Sequence, residues 1–194
     1  MASRNAQLTA LEDELGHTTE RAHALATSVS EDVFLRRPDD SSWSIAECVA
    51  HLTLTTRAFL PIIDAALASA ERVAPGADPT FRADMKGRLL RWMLEPPYRM
   101  RVKTPASFVP GMPASRDAVV DEFDRSQSEL VARLHASDGF AIDRAVIVSP
   151  FSEKMSYNLY SCFRILPTHQ RRHLWQGERV RSLLAPETGG PGAA

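Results

Sequence analysis

The sequence predicts an all-α protein, a four-helix bundle with a long crossover between the second and third helices. Three observations lead there. Apolar residues recur at helical spacing in four separate stretches. Residues 73–114, rich in proline and glycine, divide the second stretch from the third. Finally, the one run that reads as extended, residues 145–151, has no second strand in sight to pair with.

Residues 7–28 make the first helix, with Leu8, Leu11, Leu15, Ala22, Leu25 and Val29 as its apolar stripe and Glu12, Asp13 and Glu14 near its positive end. A polar break follows, Arg36-Arg37-Pro38-Asp39-Asp40-Ser41-Ser42, and ends in Trp43 and Ser44. Ser44 with Glu47 three residues on is a capping-box pattern, since each side chain can satisfy a backbone N–H that the first helical turn leaves unpaired. The second helix starts there. Its stripe is Ile45, Cys48, Val49, Leu52, Thr55, Phe59 and Ile62, and it runs to about Arg72 with a bend near Pro61. Beyond it, Pro75, Gly76, Pro79, Pro96, Pro97, Pro105, Pro110, Gly111 and Pro113 leave room only for a short helix over 81–94. A connection of this length frees the helices on either side from being antiparallel neighbours. Ser115 opens the third helix, whose apolar positions are Ala118, Val119, Phe123, Leu130, Val131 and Leu134, and Ser137-Asp138-Gly139 closes it. The fourth helix starts near Ser156. Pro167 lies within it and either kinks it or marks the start of a separate helix. The whole reads as one domain over 1–185, with a Gly-, Pro- and Ala-rich disordered tail over 186–194.

Composition narrows the function classes. A formal net charge of -1 gives no general attraction to nucleic acid, and none is expected as a partner. No run of about 18 apolar residues occurs, so no transmembrane segment is expected. Residues 1–8 are polar and lack the apolar centre of a signal peptide, which makes the cytoplasm the expected location. In that compartment Cys48 and Cys162 are expected as free thiols rather than a disulfide. No nucleophile elbow, P-loop or dinucleotide glycine motif is present.

The chemistry-bearing motif is His169-Gln170-Arg171-Arg172-His173. Two histidines four residues apart on a helix leave the same face one turn apart, which is chelate spacing. They also continue the inward stripe of Leu159, Cys162, Phe163, Leu166 and Gln170, so the imidazoles point toward other helices and need partners for their ring nitrogens. A divalent metal with a third ligand is one way to supply them, and His51, on the edge of the second helix's stripe, is the natural third ligand. The alternative is a pair of histidines on an exposed helix end among Arg171, Arg172 and Arg179, without metal.

Two segments, Trp43-Ser44-Ile45-Ala46-Glu47-Cys48-Val49-Ala50-His51-Leu52 and His169-Gln170-Arg171-Arg172-His173-Leu174-Trp175-Gln176, resemble the DinB-like family of bacterial metalloproteins, which includes thiol S-transferases of the bacillithiol and mycothiol type. The resemblance extends from the first helix to about Val180. It implies a four-helix bundle with a long crossover, and a metal (nickel, zinc or iron) held by the residues that stand here as His51, His169 and His173. Homodimers are frequent in the family, so one is a possibility here too.

Other residues have competing readings. Glu47, one turn before His51, is either an outer partner of that histidine or, more simply, the far half of the capping box. Cys48 and Cys162 are read as small buried packing residues, with a redox-sensitive or metal-near thiol as the alternative. His17, His23 and His135 are read as surface residues, Trp43 as packing at the helix entrance, and Trp175 and Gln176 as structural. Residues 82–103 carry Arg82, Lys86, Arg88, Arg91, Arg99, Arg101 and Lys103 against Asp84 and Glu95. They suit either an anionic small molecule or membrane surface, or a solvated face whose charges pair with the acidic first helix.

The functional expectation is a metal-dependent enzyme that activates either a low-molecular-weight thiol, as an S-transferase, or water, as a hydrolase. Its small-molecule substrate would then be a thiol or a hydrolysable compound. The alternative is a non-catalytic bundle that binds metal or ligand and acts through a partner in a stress response.

Overall fold

The computed structural model describes residues 5–97 and 104–185. The expected tail over 186–194, and Arg99, Arg101 and Lys103 of the basic segment, lie outside the described residues. The described chain is mostly helical, with a small two-stranded sheet. Its elements in order are α1 (Ala6–Thr27), α2 (Glu31–Leu35), α3 (Ile45–Ser69), α4 (Met85–Leu94), α5 (Arg116–Ala136), β1 (Val146–Ser149), β2 (Ser152–Asn158) and α6 (Leu159–Leu184).

Local chemistry explains most boundaries. Asn5, Ser44, Ser115 and Asn158 cap α1, α3, α5 and α6, each side-chain oxygen accepting from a backbone N–H of the first turn. The Ser44–Glu47 capping box forms in both directions. α3 ends at Ser69 rather than near Arg72 and continues as helix through Pro61. In its last turns Ile63 is fully buried while Ile62 is only partly so. α6 likewise runs unbroken through Pro167, so no separate helix begins there. The Thr168 hydroxyl donates to the Arg164 carbonyl at 3.0 Å, which adds a hydrogen bond in the turn that the proline disturbs.

Three expectations need correction. The short helix α4 starts at Met85, not residue 81, because Asp84 accepts from the Gly87 N–H as its N-cap. A further short helix, α2, forms between the first helix and the polar break at 36–42, where no element was expected, and it seals Phe34 into the core. The extended run 145–151 does have a partner. β1 pairs antiparallel with β2 in the register Val146 to Asn158, Ile147 to Tyr157 and Val148 to Ser156, and the fourth long helix therefore starts at Leu159 rather than Ser156. β2 was illegible because Ser152, Glu153 and Lys154 are all exposed and give no apolar alternation.

The long helices share two apolar clusters. One joins the first half of α1 to the second halves of α3 and α5 and the start of α6, with Leu8, Leu15, Ile63, Leu134 and Phe163 at its centre. The other joins the opposite ends, through Leu25, Ile45, Leu52, Phe123 and Leu174. This sharing of ends means that α3 and α5 run in one direction while α1 and α6 run in the other. A parallel pair such as α3 and α5 needs a connection that returns along its full length, and residues 70–115 supply it.

Between the clusters lies a belt of buried polar residues: Thr18 of α1, His51 and Thr55 of α3, Gln127 of α5, and Thr168, His169, Gln170 and His173 of α6. By length and composition alone α3 is apolar enough to cross a membrane. Its apolar residues here serve both clusters, and it packs on α5 and α6.

Candidate metal centre

His51 belongs to the stripe that turns α3 toward α6, and it is 1% exposed. Its Nδ1 stands 2.7 Å from the Phe108 carbonyl oxygen, delivered by a 3-10 turn, Ala106–Phe108, in the crossover. A carbonyl only accepts, so Nδ1 carries the proton and Nε2 presents a bare lone pair inward. That lone pair faces His169, whose Nε2 lies 3.4 Å away. His173, one turn further along α6, completes the group: its ring centroid is 4.4 Å from that of His51 and 4.6 Å from that of His169. One nitrogen from each ring lies within 4.8 Å of the others.

These dimensions fit a metal. Nitrogens bound to one tetrahedral ion at about 2.0–2.1 Å stand roughly 3.4 Å apart, the separation between His51 and His169. A second observation agrees. Nδ1 of His173 is buried with no hydrogen-bond partner among the described residues, and an unsatisfied buried nitrogen costs about 1–3 kcal/mol. Three imidazoles without a carboxylate form a nitrogen donor set suited to zinc, nickel or iron rather than magnesium or calcium.

The surroundings keep the rings neutral. Burial pushes the His51 pKa below its usual value despite the opposing bond to Phe108. Burial does the same more strongly at His169 and His173, helped by the neighbouring imidazoles and the nearby Arg172 charge, while the Gln176 side chain partly opposes it at His173. Aromatic rings wall the group. Trp43 stacks on His173 at 5.8 Å between centroids and lies 4.9 Å from His51, and Phe151 lies 6.0 Å from His169 and 4.2 Å from Phe108. The hairpin matters here, because Phe151 sits at its turn.

The helix that carries two of the histidines is anchored by the residues between them. Gln170 accepts from Thr18 of α1 and exchanges hydrogen bonds with Gln127 of α5. Arg171 makes two 2.9 Å bonds to Glu95, the C-cap of α4, and a third to Glu14 of α1.

The sequence profile described as DinB superfamily matches residues 14–176, well over half of the chain and all three histidines. The chain belongs to the DinB superfamily. No curated protein and no solved structure matches it.

In this DinB chain, the structure brings His51, His169 and His173 together as the sequence pattern expects. Glu47 is the cap and no partner of His51. It accepts from Ser44 and from a two-pronged Arg37, and although burial works against its charge, these bonds hold its pKa below the usual range. Cys48 and Cys162 are buried packing residues whose thiol pKa values are pushed up by burial, and neither joins the histidine group. His23 and His135 pair at the surface with Asp124 and Glu12. Of the acids of α1, Glu14 pairs with Arg171 and Glu12 with His135.

Sequence reading missed Phe108, Phe151 and the full role of Trp43, which it confined to the helix entrance. Trp43 carried a usable signal, adjacent to the cap of the helix that bears His51. Phe108 and Phe151 had none, because both reach the site from connections.

Proposed function

We propose that His51, His169 and His173 hold a divalent metal, nickel, zinc or iron, and that this DinB-superfamily chain is an enzyme acting on a small molecule there. The observation that carries the reading is the convergence of three buried, neutral imidazoles, one with a nitrogen that nothing among the described residues satisfies. When bound, the metal supplies the Lewis acidity that turns a thiol or a water into a nucleophile at neutral pH. The chain's part is positional. The Phe108 carbonyl sets the His51 tautomer and ring angle, the Gln170 and Arg171 bonds fix α6, and Trp43 and Phe151 exclude water from the histidine faces. Three ligands leave at least one coordination position for substrate, as catalytic sites require. By the family resemblance, the first substrate class is a low-molecular-weight thiol joined to an electrophile, and hydrolysis is the second.

Supporting features extend to the wider reading. α1, α3, α5 and α6, with the crossover between α3 and α5, suit a four-helix bundle, and two buried thiols suit a cytoplasmic setting.

The test is metal content by elemental mass spectrometry on untagged protein, wild type beside a His169→Ala, His173→Ala double variant. Near-stoichiometric metal in the wild type and its loss in the variant is the expected result. Thiol consumption with an electrophile, measured against ester or amide hydrolysis, then separates the two activities. Absence of metal after dialysis against nickel, zinc and iron would overturn the reading. One observation favours a non-catalytic binding role instead: the group is walled by aromatic rings, and among the described residues no carboxylate belongs to it to take up a proton. A metal-loaded protein without turnover on either substrate class would select that role.

A further inference from the structure

A cleft of about 280 Å³ opens between α4 and α6, away from the histidines, none of which lines it. Arg88, Arg91 and Trp92 of α4, its C-cap Glu95, and Ser161 and Arg164 of α6 do. The α4 residues recur at i, i+3 and i+4, so they form one helix face, and the two α6 residues at i, i+3 form the face opposite. The cleft thus has two basic walls.

Its positive charge is not cancelled. Among the described residues, no carboxylate pairs with Arg88, Arg91 or Arg164. Arg91 donates from Nε to the Thr168 hydroxyl at 3.2 Å, and Arg164 lies over the Tyr160 ring at 5.7 Å. Each of these two is held at one point and keeps other N–H donors for a ligand. Glu95, the acid on the wall, already takes both of its strong bonds from Arg171. Asp84, at the head of the cleft, accepts from Gly87 N, Asn158 N and the Ser161 hydroxyl. Both carboxylates are therefore committed within the protein. Trp92, 55% exposed, adds a flat apolar surface.

The spacing of the walls is built in. A Cβ at Gly87 would stand 2.3 Å from the Cβ of Ser161, so only glycine lets α4 approach α6 this closely.

We propose that this cleft is a binding site for a small polyanion, bearing phosphate or carboxylate groups that the three guanidiniums clasp, with its body against Trp92. Arginine suits this chemistry because its planar fork meets two oxygens of one anion at once. The same groups occur on free metabolites and on lipid headgroups, and α4 also exposes Met85 and Leu89 beside the cleft, so the source is decided by experiment.

The experiment titrates the full chain with inorganic pyrophosphate and with citrate, following tryptophan fluorescence and heat of binding at low and at high salt. A parallel arm measures co-sedimentation with phosphatidylglycerol vesicles against phosphatidylcholine vesicles. The expected result is saturable binding in at least one arm, weakened by salt, and at least tenfold weaker in an Arg88→Ala, Arg164→Ala double variant. The fluorescence response should vanish in Trp92→Phe while the heat remains. Binding of the soluble anions marks a metabolite site. Binding confined to the anionic vesicles, and lost in the double variant, marks a headgroup site. No binding in either arm, or binding that the double variant keeps, overturns the proposal. Arg88 is exposed and Arg164 is half-buried, so the variant is expected to fold, and an unchanged circular dichroism spectrum checks it. Metal content is a separate readout, and the site stands or falls independently of it.

Discussion

Replacing His173 by leucine sets stability against function in a way that only a metal site predicts. In the metal-free protein, Nδ1 of His173 is buried without a partner among the described residues, a burden of about 1–3 kcal/mol. Leucine removes it and keeps an apolar side chain against Trp43, at the loss of ring stacking worth about 0.5–1.5 kcal/mol. The balance is a gain on the order of 1 kcal/mol, or roughly 2–4 °C in Tm for a chain of this size. With metal present the order reverses. Wild type gains about 2.7 kcal/mol at a metal concentration one hundred times Kd, and the variant, lacking a ligand, gains little. Thermal denaturation by circular dichroism, in chelator and in excess zinc or nickel, should therefore give curves that exchange places. His173→Leu that is less stable in chelator would refute the orphaned nitrogen. A variant that kept the full metal-dependent shift would remove His173 from the ligand set.

Three further outcomes follow from the same geometry. In chelator, stability should fall steeply as pH drops below about 6.5: the three histidines have folded-state pKa values below the unfolded one, so the unfolded chain takes up protons first, at up to about 1.4 kcal/mol per pH unit for each. Urea midpoints between pH 7.5 and 5.5 check this, and a flat profile would contradict it. Glu47→Ala should cost about 1–3 kcal/mol in urea denaturation through loss of the capping box and the Arg37 pair, yet leave metal affinity within severalfold, since Phe108 rather than Glu47 holds His51. A drop of more than tenfold in affinity would return Glu47 to the site. Lastly, Cys48 and Cys162 should resist a thiol reagent at pH 8 in the native protein and both react after denaturation, as counted by intact mass, because burial holds their pKa values up.

Much of the helical layout was legible because it depends on local rules. Ser44 and Glu47 announce the start of α3, Ser115 announces α5, and the stripes of α1, α3 and α6 mark the faces that become buried. The errors fall where local signal is weak. β2 is held by its pairing to β1 and carries exposed polar side chains, so no pattern within it marks a strand. Pro167 argues for a break, but burial of the helix around it and the Thr168 hydroxyl bond keep α6 continuous.

By itself the sequence determined the four long helices, their buried faces, and the chelate spacing of His169 and His173, since each depends on residues within a few turns of one another. The tertiary structure decided the rest: that His51 meets that pair, that the Phe108 carbonyl chooses its tautomer, that Phe151 arrives on a hairpin, and that arginines from α4 and α6 face each other across a cleft. These contacts join residues far apart in the chain. Helical periodicity says which face turns inward, but the packing of the two apolar clusters fixes which residues of other helices stand opposite, and at what distance.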